Sequence, residues 1–305
     1  MPVPINRPID KLKKNPDKSF AAIEAGGTKF VVAIGNTNQI KRKISIPTRD
    51  PDTTWREVLA FLNHAYNEIP FSAIAMASFG PLELNASSVN YGQLTNTPKV
   101  GWQGVEMLAP LKQFNLPIAL ETDVNAAALG EAQLGKGQDK DTLVYVTVGT
   151  GIGAGIVRNG QILNGISHPE IGHIPVPQDT NRDAFAGICP FHKNCLEGLA
   201  SGQAIHARWG SSLNDLEQGH PAYAIQAQYL GYLCSVLMLC FAPDKILLGG
   251  GVMQSASLLE KSRDYCFNYL NGYPKREYLG QIIERPAHKE TSAILGGFVL
   301  ASRLI

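Results

Sequence analysis

The run Thr147-Val-Gly-Thr-Gly-Ile-Gly-Ala-Gly155 sets four glycines inside a β-rich stretch. Without Cβ atoms the glycines expose neighbouring backbone N–H groups, and a concave set of N–H groups is a seat for an anion. The first reading is therefore a phosphate loop. A similar cluster opens the chain, Glu24-Ala-Gly-Gly-Thr-Lys29, and both lie between apolar, strand-like runs: 21–25 and 30–34 around the first, 142–148 and 154–157 around the second. Two phosphate loops point to two halves.

The rival reading of the second cluster is a dinucleotide fingerprint, because Gly149-Thr-Gly151-Ile-Gly-Ala154 fits G-x-G-x-x-A and Glu170 stands downstream. Such a loop has to open a helix whose N-terminus meets the pyrophosphate. The chain runs instead into a hairpin signal, Asn159-Gly160, between two apolar runs. The expected unit is strand-turn-strand. The first cluster has the same layout: 27–40 can be laid over the later segment so that one ends in Asn-x-x-Gln-Ile and the other in Asn-Gly-Gln-Ile. This is a faint internal duplication. Neither cluster is a Walker loop, since G-x-x-x-x-G-K-[ST] occurs nowhere.

A chain of 305 residues, 44% of them hydrophobic, can bury a full core and is expected to divide into two domains. Lys plus Arg number 27 against 26 Asp plus Glu, which leaves no basic field for nucleic acid or an anionic membrane. A small-molecule partner is the expectation. The longest apolar run, 229–242, is interrupted by Gly231 and Ser235 and falls short of a membrane span. It reads as a core helix. Met1–Ser19 has no apolar signal core and reads as a disordered or loosely attached extension, so the expected location is the cytoplasm. There the five cysteines are not a disulfide frame.

From Phe20 strands alternate with helices: a helix near 52–68, a strand at 72–78, a helix near 104–114, a strand at 117–121, then Asp123 as expected N-cap of a helix over 124–134. This is α/β organisation. An irregular stretch, 167–197, is too long for an ordinary connector. Helices resume near 201 and over 221–241, a strand runs from Lys245 into Gly249-Gly-Gly251, and a last helix is expected over 291–304.

Cys189-Pro-Phe-His-Lys-Asn-Cys195, with His173 upstream, places His173, Cys189, His192 and Cys195 within one irregular loop. Four such ligands suit tetrahedral zinc, and with every position filled by protein the metal reads as a staple. Asp123, at a strand end and a helix mouth, is the candidate base. Glu170 and Glu197 flank the ligand cluster, within reach of sugar hydroxyls.

Together these residues resemble the ROK family of sugar kinases, closest to its bacterial fructokinases. The likeness runs from Phe20 to Ile305 and is carried by Ile23-Glu-Ala-Gly-Gly-Thr-Lys-Phe30, Phe79-Gly-Pro81, 97–102, Glu121-Thr-Asp-Val-Asn-Ala-Ala-Ala-Leu-Gly-Glu131, the glycine hairpin, Pro169-Glu-Ile-Gly-His173, 189–202 and Leu248-Gly-Gly-Gly-Val252. The resemblance implies a two-domain, actin-like ATPase (ribonuclease H-like) α/β fold. That fold would have a cleft between domains and a zinc-stapled loop. The domains would be 20–122 plus 289–305, and 123–288. It also implies ATP-dependent, magnesium-requiring phosphorylation of fructose at the 6-hydroxyl, in a homodimer. By the same likeness Asp123 is the catalytic base. Gly26, Gly27, Thr28, Lys29, Thr150 and Gly151 line the ATP phosphates, and Gly249, Gly250 and Gly251 border the adenosine. Gly80, Asp123, Glu170, His173 and Glu197 face the sugar. Two departures from glucose-type members, Thr122 in place of Asn and the Cys-Pro-Phe-His spacing, also resemble fructokinases. Glu24 replaces the more usual Asp, a carboxylate that could help hold magnesium. A broader hexose kinase acting on mannose or glucose is the alternative. A sugar-responsive regulator would need a DNA-binding helix-turn-helix before the first glycine loop, where Met1–Ser19 stands.

Overall fold

The computed structural model describes residues 18–273 and 279–305. The expected N-terminal extension therefore lies outside the described residues as far as position 17. Its last residue belongs to the fold: Ser19 is buried, its carbonyl accepts from Ser72 N at 2.9 Å, and its hydroxyl accepts from Lys41 Nζ at 3.0 Å.

The chain forms two compact units, one of 18–139, 157–168 and 290–305, the other of 140–156 and 169–289. In the first, β1 (Phe20–Ala25), β2 (Lys29–Gly35) and β3 (Ile40–Pro47) form an antiparallel meander. Helix α1 (Pro51–Glu68) then leads to β4 (Ile74–Ser78), which pairs parallel with β1, and β5 (Ile118–Thr122) pairs parallel with β4. Asp50 caps α1 by accepting from Thr53 N at 2.8 Å, with Pro51 at the first helical position. Both faces of the sheet are covered at β1, where Glu24 is the one polar residue of the strand. Ile23 and Phe30 join Trp55, Leu62 and Trp102 on one face, while Phe20 and Ala22 pack against Ile294 and Phe298 on the other.

Those last two residues lie on α8 (Ser292–Ser302), which packs on α2 (Asp123–Leu134). The approach is close enough that a Cβ on Gly296 would run into the Ala126 carbonyl oxygen. This contact explains a difference from the sequence-based expectation, which places the domain boundary before residue 123. Helix α2 groups instead with the first unit, because its small residues hold α8 there.

In the second sheet β6 (Thr142–Val148) and β7 (Ile152–Arg158) form the glycine hairpin, and β8 (Gln161–Ile162) pairs antiparallel with the end of β7. The turn is Asn159-Gly160, with φ of 51° and 73°, as a type I′ hairpin requires. Strand β9 (Lys245–Gly249) pairs parallel with β6, and β10 (Ile283–Glu284) parallel with β9. The two sheets have the orders β3-β2-β1-β4-β5 and β8-β7-β6-β9-β10. They share one strand plan, with a glycine turn between the first two strands of each.

The second unit also holds α3 (Leu196–Ala200), α4 (Gly202–Trp209), α5 (Pro221–Phe241), α6 (Ala256–Leu270) and α7 (Leu279–Ile282). Among the described residues α5 alone is long and apolar enough to cross a membrane. It is the core helix of this unit, with Leu230, Leu233 and Leu237 buried in the main cluster and α6 along its side. The helix expected over 104–114 shrinks to a 3-10 turn at Ala109–Phe114, since Gly101 and Gly104 take φ of 79° and 80° and Pro110 stands in the first turn.

Candidate active site and metal cluster

In the first unit the strand-to-helix corner at β5 and α2 is built by its own side chains. Thr122, not Asp123, is the N-cap: its hydroxyl accepts from Asn125 N at 3.2 Å. Asp123 is the first helical residue, partly buried, with Oδ1 accepting from Val124 N at 2.9 Å. A carboxylate there is favoured by the exposed N–H groups and dipole of the helix. Beneath it Glu121 is buried. Its Oε1 accepts from Thr122 N at 2.9 Å and Asn125 Nδ2 at 2.8 Å, and its Oε2 accepts from Asn164 Nδ2 at 3.1 Å. Asn125 Nδ2 also donates to Asn164 Oδ1 at 3.1 Å. This closed triangle fixes the backbone that carries Asp123. Sequence reasoning gives Glu121, Asn125 and Asn164 no role.

The turn from β1 to β2 is closed by Gly26 N donating to Lys29 O at 2.9 Å, and Thr48 Oγ1 donates to Gly26 O at 2.7 Å. Thr28 and Lys29 are exposed, and a Cβ at Gly27 would meet nothing within 4 Å, which leaves room for an anion. Glu24 precedes this turn. Its Oε2 is shut away from solvent and has no hydrogen-bond partner among the described residues. Burial above all, then the negative charge of Asp123, pushes its carboxyl from the usual 4.5 up to about 7, against the opposing pull of Lys29. Glu24 and Asp123 thus share one electrostatic neighbourhood, and an enclosed acceptor without a donor suits a cation. Gly80 stands just after β4, with the imidazole of His168 over it: His168 Nε2 lies 3.2 Å from where a Cβ on residue 80 would be.

In the second unit the β6–β7 turn is closed by Gly149 N donating to Gly151 O at 2.9 Å and is held to α4 by Gly202 N donating to Gly149 O at 2.7 Å. Thr150 is exposed at its tip. Glu197 on α3 reaches this turn, with Oε2 accepting from Ile152 N at 2.8 Å. Gly249 ends β9, and Gly250 and Gly251 lead on from it, with Asn214 Nδ2 donating to Gly251 O at 2.9 Å.

The irregular loop brings His173, Cys189, His192 and Cys195 together, one ligand atom from each within 4.8 Å of the others. His173 Nδ1 lies 3.7 Å from Cys189 Sγ and 3.5 Å from Cys195 Sγ, and His192 Nδ1 lies 3.7 Å from Cys189 Sγ. The nitrogen-to-sulfur edge of a tetrahedral zinc site is about 3.6 Å from usual bond lengths, so the cluster is compatible with zinc. The far nitrogen of His173, Nε2, points to Glu197 Oε1 at 4.0 Å, as the outer nitrogen of a metal-bound histidine points to an acceptor. Burial first, then the neighbouring Cys189, pushes the Cys195 thiol up to about 11. Cation binding reverses that preference, because a coordinated thiol gives up its proton. Glu170 is exposed one turn before the cluster, its carbonyl accepting from His173 N at 3.0 Å. A second anchor holds the same loop: Arg208 Nη2 lies 3.0 Å from Asp183 Oδ2, which also accepts from Tyr229 OH at 2.6 Å.

The family profile described as ROK family matches residues 20–304. This chain belongs to the ROK family. Its α/β fold with two mixed sheets is that of the ROK sugar kinases. The fructokinase of Pediococcus pentosaceus is 42% identical over 284 residues, covering 92% of this ROK chain and 97% of that protein. The fructokinase of Zymomonas mobilis is 38% identical over 295 residues, covering 94% and 98%. Among solved structures, the ROK hexokinase from Thermus thermophilus matches with a TM-score of 0.74 at 24% identity, covering 94% of this chain and 98% of that one.

Proposed function

We propose that this ROK chain is a fructokinase that transfers the γ-phosphoryl group of ATP to the 6-hydroxyl of fructose. The observation that carries the reading is Asp123, held at the first position of α2 by the Glu121–Asn125–Asn164 triangle and electrostatically coupled to Glu24. Fructokinase relatives 42% and 38% identical over nearly the whole chain support the substrate. Phosphoryl transfer asks for positioning and charge neutralisation more than covalent chemistry. Asp123 accepts the proton of the attacking hydroxyl. Gly26 closes the first turn through its N–H, backbone N–H groups of Gly27, Thr28 and Lys29, and of Thr150 and Gly151, hold phosphates, and Lys29 adds positive charge. Gly249, Gly250 and Gly251 border the adenosine, and Gly80, Glu170, His173 and Glu197 orient the sugar.

Magnesium neutralises phosphate charge when ATP is bound. The enclosed Oε2 of Glu24 fits a role in holding it, directly or through water. Zinc fits His173, Cys189, His192 and Cys195. With four protein ligands it would hold the loop in shape rather than take part in the transfer. Thr122 supports fructose over glucose, because its hydroxyl is committed to capping α2 and offers no amide to ring hydroxyls. The cytoplasmic location and the homodimer implied by the family likeness complete this reading. Light scattering tests the dimer.

ATP consumption measured with magnesium across fructose, mannose and glucose, with the fructose product located by phosphorus NMR, tests the proposal. Fructose should give the highest kcat/KM and phosphate on its 6-oxygen. Absence of turnover with every hexose would remove the kinase reading, and equal turnover with all three would replace it with a broader hexose kinase.

A further inference from the structure

The two oxygens of Glu197 go to different places. Oε2 accepts from Ile152 N at 2.8 Å, in the amide that directly follows the Gly149–Gly151 turn. Oε1 faces His173 Nε2 at 4.0 Å, across from the metal cluster. A Cβ at Gly151 would stand 2.6 Å from Oε2, so the carboxylate lies against the turn itself. Glu197 is also two residues beyond Cys195 and sits at the start of α3. The path from sulfur to glycine turn is thus one side chain long.

We infer that Glu197 is a positioning residue for the phosphate turn, tying the metal loop to it, so that its loss weakens nucleotide binding even when no sugar is present. A sugar-binding role by itself would change only the response to sugar. Hydrogen-bond supply decides between the two. Gly149 N is already given to Gly151 O, and Ile152 N to Glu197. With both ends of the turn fixed inward, the orientation of the amides between them is set before any ligand arrives. A bond from an N–H to an ionised carboxylate is among the stronger kinds available for this. Without it the first residue of β7 is free to rotate its amide outward, and the turn loses its shape. The inference rests on the proposal that this turn receives ATP phosphates.

The test uses the intact protein, with zinc content measured in every variant. Titration calorimetry with MgATP and no sugar should show Glu197→Ala binding at least about tenfold more weakly than the native chain, the scale of one lost charged hydrogen bond. Amide exchange at Ile152, measured without any ligand, should speed up by at least about tenfold in the same variant. Glu197→Gln keeps an oxygen for Ile152 N but turns an NH2 group toward His173. It should restore both readouts to within about threefold of native while leaving the KM for fructose raised. Gly151→Ala approaches the same contact from the other side. It should weaken MgATP binding in the native background and much less in Glu197→Ala. Native MgATP affinity together with native Ile152 exchange in Glu197→Ala would overturn the inference. A native chain that binds no MgATP would overturn the kinase reading and the nucleotide half of this one, leaving the exchange at Ile152 to decide whether Glu197 holds the turn.

Discussion

Asn164 donates its side-chain amide to Glu121 at 3.1 Å, joining a residue just beyond β8 to the end of β5. The bond closes the triangle under Asp123, so its loss should be felt both in folding and in turnover. Asn164→Ala leaves one oxygen of a buried carboxylate without its donor, which costs about 1–3 kcal/mol. Urea denaturation should show that loss, and kcat should fall while the KM for ATP changes little. An unaltered kcat would mean that the corner keeps its shape without Asn164.

Asp123→Asn preserves the acceptor that Val124 N uses while removing the proposed base. We expect kcat to drop at least about a hundredfold, within the range of general-base contributions, at an unchanged melting temperature. Steady-state kinetics beside a thermal melt separate this outcome from misfolding. Turnover near the native level would take Asp123 out of the reaction.

Purified protein should contain about one zinc per chain, as a four-ligand site binds one ion. Strong chelators, or Cys189→Ser, should lower thermal stability and activity together, since the loop then loses its staple. Metal analysis by mass spectrometry, paired with activity after dialysis, checks this. Metal-free protein with full activity would dismiss the zinc site.

Glu24 gives the stability of the ligand-free protein a defined pH dependence. Its folded carboxyl is raised from 4.5 to about 7, so between those values the folded state holds a proton that the unfolded chain has released. By proton linkage the contribution of this group is greatest below pH 4.5 and is lost as pH rises through 7. The full difference is at most about 3 kcal/mol. Glu24→Gln should therefore gain stability relative to native at pH 8 and not at pH 4.5, measured by urea denaturation without magnesium or nucleotide. A constant difference between the two proteins across that range would contradict the assignment.

Local signals make part of this molecule legible in the sequence. Asn159-Gly160 announces its hairpin because both residues take positive φ, and the ligand cluster is visible because three of its members lie within seven residues of one another. Asn164 and His168 are not legible. Each acts only because 157–168 returns to the first unit, and no spacing rule encodes a partner more than forty residues away. Sequence alone puts the cap of α2 at Asp123, one residue late, since Thr122 and Asp123 both favour that role and the choice depends on where β5 stops. The domain boundary is hard to read for a related reason: the packing of α2 on α8 spans more than half of the chain length.

Two sheets with one strand plan imply a module copied in tandem. Each copy carries a glycine turn after its first strand, so one duplication accounts for both turns. The copies were then free to diverge elsewhere, one acquiring an acid where its fifth strand meets a helix and the other a sulfur-and-imidazole knot. Specialisation of this kind lets one strand plan carry unlike side chains in its two copies without changing its scaffold.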